Sequence, residues 1–282
     1  MKNFIVRTIT SIFFVAAIVV GLLNAQAMTV LFSIVTGMTI WEFTGLVNDR
    51  PYVSINRFIC TVSGVYLFLA MAGYNSGWTP ATVFIPYLVS IVYLMVAELY
   101  MQAKDPINNW AYTMLSQLYI ALPLSLLNVL AFRSNGYSIE YSYLAPLSIF
   151  VFLWINDAGA YCVGSLLGRH KLFPRVSPGK SWEGSIGGAL LVIAAAVAVW
   201  HLTTLYGVND LGLSALEWAG LGVVVVVFGT WGDLVESLFK RTLGVKDSGN
   251  ILPGHGGMMD RFDSTLMAVP AAVVYLYTLT LF

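Results

Sequence analysis

The feature that most constrains the fold of this chain is a series of long apolar runs spread over its 282 residues. Each run approaches the roughly 20 residues that a helix needs to cross the hydrocarbon core of a bilayer. Continuous runs of this length exclude a transmembrane β-barrel, whose strands alternate in hydrophobicity over about ten residues. The sequence therefore predicts an all-α, polytopic integral membrane helix bundle of about nine transmembrane helices, at residues 5–23, 27–47, 58–74, 78–99, 110–132, 143–168, 184–205, 215–234 and 264–282.

Composition supports a membrane protein and limits the chemistry available to it. Residues are 58% hydrophobic and only 10% charged, which is not the composition of a soluble domain. The two cysteines, Cys60 and Cys162, lie far apart in apolar runs, so neither a disulfide framework nor a thiolate metal site is expected. The first run resembles a signal peptide, but further spans follow it, and we expect an uncleaved first helix. We expect no nucleic-acid partner.

The positions of the basic residues predict the orientation of the bundle. If the N-terminus is cytoplasmic, every lysine and arginine except Arg133 falls on the cytoplasmic side, as the positive-inside rule requires. The two most basic loops, 169–183 and 235–263, then face the cytoplasm. We therefore predict an N-terminal scaffold region, 1–142, and a C-terminal catalytic region, 143–282, that carries both loops.

Four acidic residues stand out against the apolar background. Asp157 lies inside the sixth predicted span, Asp233 ends the eighth, and Asp260 and Asp263 open the ninth. A spacing of three places the last two on one helical face. A carboxylate in lipid is costly, so it must pair, take up a proton or bind a cation. Oxygen ligands from neighbouring helix ends suit Mg²⁺, which makes a metal site one interpretation of the four residues.

Ionic pairing at the membrane surface is the alternative interpretation of these carboxylates. Asp233, Ser237 and Lys240 share one face of a predicted helical extension into the cytoplasm. Lys240 and Arg261 can neutralise the carboxylates, and Lys240 with Arg241 can meet lipid headgroups. Residue types alone leave both interpretations open.

A glycine-rich segment precedes the ninth span. Gly254-His255-Gly256-Gly257 stands just before a predicted helix start, where free N–H groups and the helix dipole favour an anion. Lys246 and Arg261 nearby strengthen this interpretation. His255 is open between metal ligation, phosphate binding and bracing of the loop. We favour a hydrogen-bonding role because Mg²⁺ prefers oxygen.

The other basic loop also predicts phosphate binding. Residues 169–180 contain four cations, which attract the phosphates of a nucleotide or of lipid headgroups. A loop that only sets topology explains Arg169 and Lys171. It does not explain Ser177-Pro178-Gly179-Lys180 followed by Glu183.

The segment 237–263 resembles the signature of the phosphatidate cytidylyltransferases, also called CDP-diacylglycerol synthases. Two upstream segments, 157–161 and 177–184, also resemble stretches shared by that family, so the resemblance covers roughly residues 150–282. Every fixed position of the signature is matched, namely by Ser237, Lys240, Arg241, Lys246, Asp247, Gly249, Leu252, Pro253, His255, Gly256, Gly257, Asp260, Arg261 and Asp263.

The resemblance implies an activity and a set of roles. The implied reaction joins CTP and phosphatidate to give CDP-diacylglycerol and pyrophosphate and requires Mg²⁺, with a second cation left open. The implied metal ligands are Asp233, Asp260, Asp263 and Asp157. The implied catalytic residues are Lys240, Arg241, Lys246, Asp247, His255 and Arg261. The implied substrate-binding residues are Ser177, Lys180, Glu183, Ser237, Gly256 and Gly257. It also implies a bacterial inner-membrane enzyme with a cytoplasmic active site, and the family typically forms homodimers.

Rival functions are distinguished by chemistry. A related CTP-dependent lipid enzyme, such as a polyprenol kinase or an ether-lipid cytidylyltransferase, would carry similar nucleotide-binding residues. A transporter would account for the intramembrane Asp157 but needs no charged, glycine-rich cytoplasmic loop. The Asp-Gly-x-x-Ala-Arg pattern of CDP-alcohol phosphotransferases is absent from the sequence.

Overall fold

The computed structural model describes residues 2–134, 136–249, 251 and 256–279, with side chains from residue 8 onward. Eight helical stretches in this part of the chain are long and apolar enough to cross a membrane, and the first helix contributes a shorter apolar stretch, Thr8–Leu22. This confirms the predicted polytopic helical membrane protein. The long helices are α1 (Lys2–Leu22), α2 (Ala25–Asn48), α3 (Arg57–Asn75), α4 (Ile85–Met101), α8 (Leu144–Leu167), α9 (Trp182–Leu205), α10 (Ala215–Thr242) and α11 (Met259–Leu279).

The fifth predicted span, 110–132, is helical except at Leu126 and Phe132 and is built from four pieces. These are α5 (Pro106–Leu115), a π-helical segment (Ser116–Ala121), α6 (Leu122–Ser125) and α7 (Leu127–Ala131). Pro123 has no N–H to donate to the carbonyl four residues before it, so the regular hydrogen-bond ladder is interrupted there. The side chain of Gln117 turns towards α3 and donates to the carbonyl of Cys60 at 2.9 Å.

Two short hairpins stand where the sequence predicts loops. The first joins β1 (Phe132–Ser134) to β2 (Ile139–Tyr141), and the second joins β3 (Lys171–Phe173) to β4 (Ser177–Ser181). Both are antiparallel, and in the second Lys171 lies opposite Ser181. The basic loop 169–183 is therefore an ordered ribbon, which fixes the position of Lys180 in β4.

The chain forms two compact units, which we call unit 1 and unit 2. Unit 1 contains Met1–Tyr143 and Thr242–Phe262, and unit 2 contains Leu144–Arg241 and Asp263–Phe282. The predicted division into 1–142 and 143–282 stays a prediction. The signature segment contributes residues to both units, and the assignment of scaffold and catalytic roles to the two halves stays a prediction.

Aromatic packing fixes part of the signature within unit 1. Phe262, the third residue of the Asp-Arg-Phe-Asp sequence, is fully buried. Its ring meets those of Phe14 and Phe32 edge to face, at centroid distances of 5.7 and 6.1 Å. Such pairs stabilise by more than their buried area alone. The N-terminal helices α1 and α2 thus anchor the beginning of α11.

Small residues bring α8 and α9 together within unit 2. A Cβ atom added at Gly159 would lie 3.1 Å from Cα of Gly188, and one added at Gly184 would lie 2.7 Å from the carbonyl oxygen of Ala160. Small residues allow this backbone approach between membrane helices. The contact keeps α8 beside α9, and Gly164 of α8 lies close to Ser181 at the end of the β3–β4 hairpin, which leads directly into α9.

Candidate active site

Unit 2 contains a cavity of about 580 Å³ that has the size of a small-molecule site and carries charged side chains in its wall. It is bounded by α8, the β3–β4 hairpin, the start of α9 and α10. Three of the residues predicted from sequence, Asp157, Lys180 and Asp233, are brought together in its wall. The remaining lining residues are Asn156, Ala160, Tyr161, Gly164, Ser165, Lys171, Gly179, Ser181, Gly184, Ser185 and Thr230.

A charge pair across the cavity joins the hairpin to α10. Lys180 Nζ lies 2.5 Å from Asp233 Oδ2, and both side chains are about one quarter exposed, at 27% and 28%. Ser237 Oγ donates to the other oxygen of Asp233 at 3.2 Å. The predicted helical extension of the eighth span is confirmed, since α10 continues to Thr242. Lys180 is the only lysine of the hairpin for which the described part of the chain shows an ion pair, and this pair holds it at the cavity wall.

Close packing of α10 against α11 places a third carboxylate beside this pair. A Cβ atom at Gly232 would lie 2.6 Å from the carbonyl oxygen of Asp263 and 3.1 Å from Cα of Ser264. Glycine therefore permits the approach of the two helices. Asp263 lies near enough to Asp233 and Asp157 to interact electrostatically with both, and its Oδ1 accepts a hydrogen bond from Ser264 N at 2.6 Å.

These three carboxylates have the chemistry of a magnesium site. Hard divalent cations prefer carboxylate oxygens, and mutual repulsion of three acids in one place is relieved by a cation. No group of three or more acidic, histidine or cysteine side chains is arranged as a metal centre within the described ranges. Asp233 instead directs its oxygens at Lys180 and Ser237. The residues fit the ion, and their role as ligands stays a prediction.

Helix α10 also carries a buried acidic residue that the sequence argument missed. Glu236 is fully buried, and its Oε2 lies 2.6 Å from Nζ of Lys240, four residues later. This spacing is the usual one for a helical ion pair. Lys240 therefore carries a carboxylate partner within its own helix and also interacts electrostatically with Asp263. Arg241, next in sequence, is exposed.

Glu183 braces the segment that precedes the hairpin. Its carboxylate accepts hydrogen bonds from the backbone N–H groups of Arg169 at 3.1 Å and His170 at 3.2 Å. It also lies 2.5 Å from Nδ1 of the His170 ring. These contacts fix the entry to β3, while Ser177 stands opposite Phe173 at the other end of the hairpin. Substrate binding by Glu183 and Ser177 stays a prediction.

We call residues 249–257 the signature loop, and hydrogen bonds join the described residues at its two ends within unit 1. Asp260 Oδ2 accepts from the backbone N–H groups of Ser248 at 2.9 Å and Gly257 at 2.8 Å. Gly256 has a φ of +82°, which glycine adopts without strain, and a Cβ there would lie 2.6 Å from the same oxygen. Asp260 thus organises the loop, whatever else it binds.

The other predicted residues in this part of the signature lie on either side of the loop or within it. Lys246, Asp247 and Arg261 are exposed, which leaves their charged groups accessible to a phosphorylated ligand. The predicted catalytic residue His255 lies outside the described residues. The roles of these residues stay predictions.

Comparison with known proteins decides the family. The model of the cytidylyltransferase family matches residues 5–279, nearly the whole chain. The chain belongs to the cytidylyltransferase family. The resemblance predicted from the signature is thereby confirmed, and the match extends it beyond residues 150–282 through the N-terminal region. Membership also makes the transporter interpretation unnecessary.

Individual members of the family are similar over most of their length. A phosphatidate cytidylyltransferase from Haemophilus influenzae is 34% identical over 242 residues, which cover 82% of this chain and 83% of the relative. Proteins of the same name from Staphylococcus aureus and Staphylococcus epidermidis are 29% and 31% identical over 266 residues, 94% of this chain and 96% of each relative.

Proposed function

We propose that this cytidylyltransferase transfers the cytidylyl group of CTP to phosphatidate, giving CDP-diacylglycerol and pyrophosphate for phospholipid synthesis. The observation that carries the proposal is the cavity of unit 2, where Lys180, Asp157 and Asp233 meet beside Asp263. Its basic and acidic side chains suit two phosphorylated reactants together with a cation. The names of the relatives support phosphatidate as the lipid acceptor.

The chemistry requires positioning and charge neutralisation more than acid–base catalysis. An oxygen of the lipid phosphate attacks the α-phosphorus of CTP, the bond from that phosphorus to the bridging oxygen breaks, and pyrophosphate leaves. The attacking phosphate is already an anion, so no strong general base is needed. The difficulty lies in bringing two polyanions together and stabilising the leaving group, as in other phosphoryl transfers.

The described residues supply these functions as follows. Lys180 and Lys171, both at the cavity wall, attract and orient phosphate oxygens, and Asp233 holds the ammonium group of Lys180 in place. Lys240 and Arg241 add positive charge for the triphosphate and for the pyrophosphate. The sequence predicts the same role for Lys246 and Arg261, which belong to unit 1. Mg²⁺ held by Asp157, Asp233 and Asp263 would neutralise charge on the nucleotide phosphates.

The proposal also includes the membrane and the orientation of the protein in it. The long apolar helices make the chain an integral membrane protein. We place it in the bacterial inner membrane with the basic loops facing the cytoplasm, because CTP is supplied there and the positive-inside rule favours this orientation. A homodimer is part of the proposal by analogy with the family.

The lipid acceptor is the part of the proposal that most needs a test. Purified protein in phospholipid nanodiscs would be given CTP and Mg²⁺ with phosphatidate, a polyprenol, or an archaeal-type ether-lipid phosphate. We expect pyrophosphate release with phosphatidate and none when EDTA is present. Release of CDP with the polyprenol, or preferential turnover of the ether lipid, would support one of the related enzymes instead.

Replacing Lys180 by Ala tests the cavity as the substrate site. The change removes one of the two lysines at the cavity wall and leaves Asp233 without its described ion pair. Loss of a charge-assisted contact of about 1.5–3 kcal/mol should raise KM for CTP or for phosphatidate roughly 10- to 100-fold. Lys104, whose ammonium group lies over the ring of Tyr52 in unit 1, provides the control variant Lys104→Ala. Unchanged KM values for both substrates in Lys180→Ala would remove Lys180 from the site.

A further inference from the structure

A buried carboxylate in the N-terminal half contacts the signature loop directly. Glu42 lies in α2, a helix that the sequence identifies only as an apolar span, and it is 7% exposed. A buried charge is costly unless hydrogen bonds compensate for its lost hydration. The partners that compensate Glu42 come from the other end of the chain.

Glu42 accepts hydrogen bonds from both flanks of the loop. Before the loop, Ser248 Oγ donates to Oε1 in a short contact. After it, the backbone N–H groups of Met258 and Met259 donate to Oε2 at 2.8 Å and to Oε1 at 3.3 Å. A single carboxylate thus ties together two stretches of the signature that are ten residues apart in sequence. Hydrogen bonds to an ionised group are the stronger kind.

The same hydrogen bonds provide partners for backbone N–H groups at the beginning of α11. Met259 is the first residue of that helix, and the N–H groups of a first helical turn have no partner within the helix. A carboxylate at this position also interacts favourably with the positive end of the helix dipole. Glu42 therefore caps α11 from a distant part of the sequence.

Two glycines of the signature are explained by this approach. A Cβ atom at Gly249 would lie 2.8 Å from Cδ of Glu42, and one at Gly257 would collide with Oε1 of Glu42 and Oγ of Ser248. Any other residue at either position would displace the carboxylate. The sequence argument linked Gly257 to substrate binding, and packing against Glu42 is a second reason for glycine there.

Ser248 connects Glu42 to Asp260. Its hydroxyl donates to Glu42 and accepts from the N–H of Asp260 at 3.3 Å, while its own N–H donates to Asp260 Oδ2 at 2.9 Å. The backbone that orients Asp260 is therefore the backbone that Glu42 holds. A change at Glu42 should be felt at Asp260 without contact between the two carboxylates.

We propose that Glu42 is a positioning residue that fixes the two flanks of the signature loop and the first turn of α11, so that the N-terminal helices take part in catalysis. The proposal rests on the cytidylyl-transfer function proposed above for its kinetic consequence, but not for its structural one. It assigns to α2 a role that the prediction of a scaffold region does not include.

The test compares Glu42→Gln with a matched control. Gln keeps the size of the side chain but removes its charge and replaces one carboxylate oxygen by an NH₂ group. That group can only donate, so the variant loses either the hydrogen bond from Met258 N or those from Ser248 Oγ and Met259 N, according to which oxygen is replaced. Glu98 is the other acidic side chain that is buried in the described part of unit 1, and its Oε1 accepts from Asn109 rather than from the signature loop. Glu98→Gln therefore reports the general effect of neutralising a buried acid in this unit.

Turnover and amide hydrogen exchange are the two measurements. We expect Glu42→Gln to lower kcat roughly 10- to 100-fold, the range found for residues that orient metal-ligating groups, since Asp260 is a predicted metal ligand. KM values should stay within about threefold of wild type. Amides in 248–251 and 256–260 should exchange faster than in wild type. Glu98→Gln should retain kcat within about twofold and leave these amides unchanged. Wild-type kcat and wild-type exchange in Glu42→Gln, or equal losses in both variants, would overturn the proposal.

Further variants decide the test if Glu42→Gln does not fold or if the wild-type protein is inactive. If Glu42→Gln does not fold, Ser248→Ala removes one contact only and should still lower kcat severalfold, whereas wild-type kcat and exchange in Ser248→Ala would count against the proposal. When both single variants fold, the double variant should lose less than the product of the two single losses, because they act through one contact. If wild-type protein shows no phosphatidate-dependent turnover, the proposed function fails, and the exchange measurement alone decides on Glu42.

Discussion

Replacing Asp263 by Asn is expected to lower turnover of phosphatidate and CTP by roughly 10²–10³-fold, the range found when a preorganised electrostatic contact is removed from an active site. The change neutralises one of the three carboxylates that lie together in unit 2 while preserving side-chain size and the packing of α11 against Gly232. The measurement is the initial rate of pyrophosphate release at saturating substrates, over a series of Mg²⁺ concentrations.

The control for this variant comes from the same unit. Glu217 stands in the first turn of α10, where its carboxylate accepts from Ser214 N at 2.7 Å, and Glu217→Gln should retain turnover within about twofold. If Asp263 binds the cation, Asp263→Asn should also require more Mg²⁺ for half-maximal rate. A rate near that of wild type at every Mg²⁺ concentration would remove Asp263 from the metal site.

Replacing Asp260 by Asn should abolish measurable turnover while leaving membrane insertion intact. Asp260 Oδ2 holds the N–H groups of Ser248 and Gly257, so loss of its charge loosens the loop, and loss of a predicted metal ligand adds to the effect. Insertion is checked by extraction with detergent and gel filtration, and turnover by pyrophosphate release. Asp49→Asn, at an exposed carboxylate after α2, serves as the control and should behave as wild type.

The response to Mg²⁺ separates the two possible roles of Asp260. A metal ligand should be partly compensated by a high concentration of the ion, whereas a residue that only holds the loop should not. Amide exchange in 248–251 should rise in either case. Near-normal turnover in Asp260→Asn would show that Asp260 is not needed for the reaction.

Most of the fold could be predicted because the membrane imposes long, continuous apolar runs. The predicted spans 27–47, 58–74, 143–168 and 184–205 each agree with a helix to within two residues at either end. The β3–β4 hairpin was not predicted, because its cations and its Ser-Pro-Gly sequence are equally typical of an irregular loop. The interruption around Pro123 was also missed, since hydropathy does not report the register of backbone hydrogen bonds.

The candidate site was predicted in part. The sequence pointed to Asp233 at the end of the eighth predicted span and to Asp157 and Lys180 in the two segments upstream of the signature, and the structure brings all three into one cavity wall. The sequence did not point to Glu42, whose partners lie more than 200 residues away in sequence and are set by tertiary packing. It did not point to Glu236 either, because the sequence does not show that this residue is buried. A signal was present for Glu42: it is an acidic residue inside a predicted span, and the argument that singled out Asp157 applies to it as well.

The fate of the individual phosphates of CTP tests the central claim most directly. Wild-type protein in nanodiscs would be incubated with phosphatidate, Mg²⁺ and CTP labelled at either the α- or the γ-phosphorus. The account predicts that the α-label enters the lipid fraction, that the γ-label leaves entirely as pyrophosphate, and that EDTA stops both. Appearance of the γ-label in lipid, with release of CDP, would contradict it and identify a kinase.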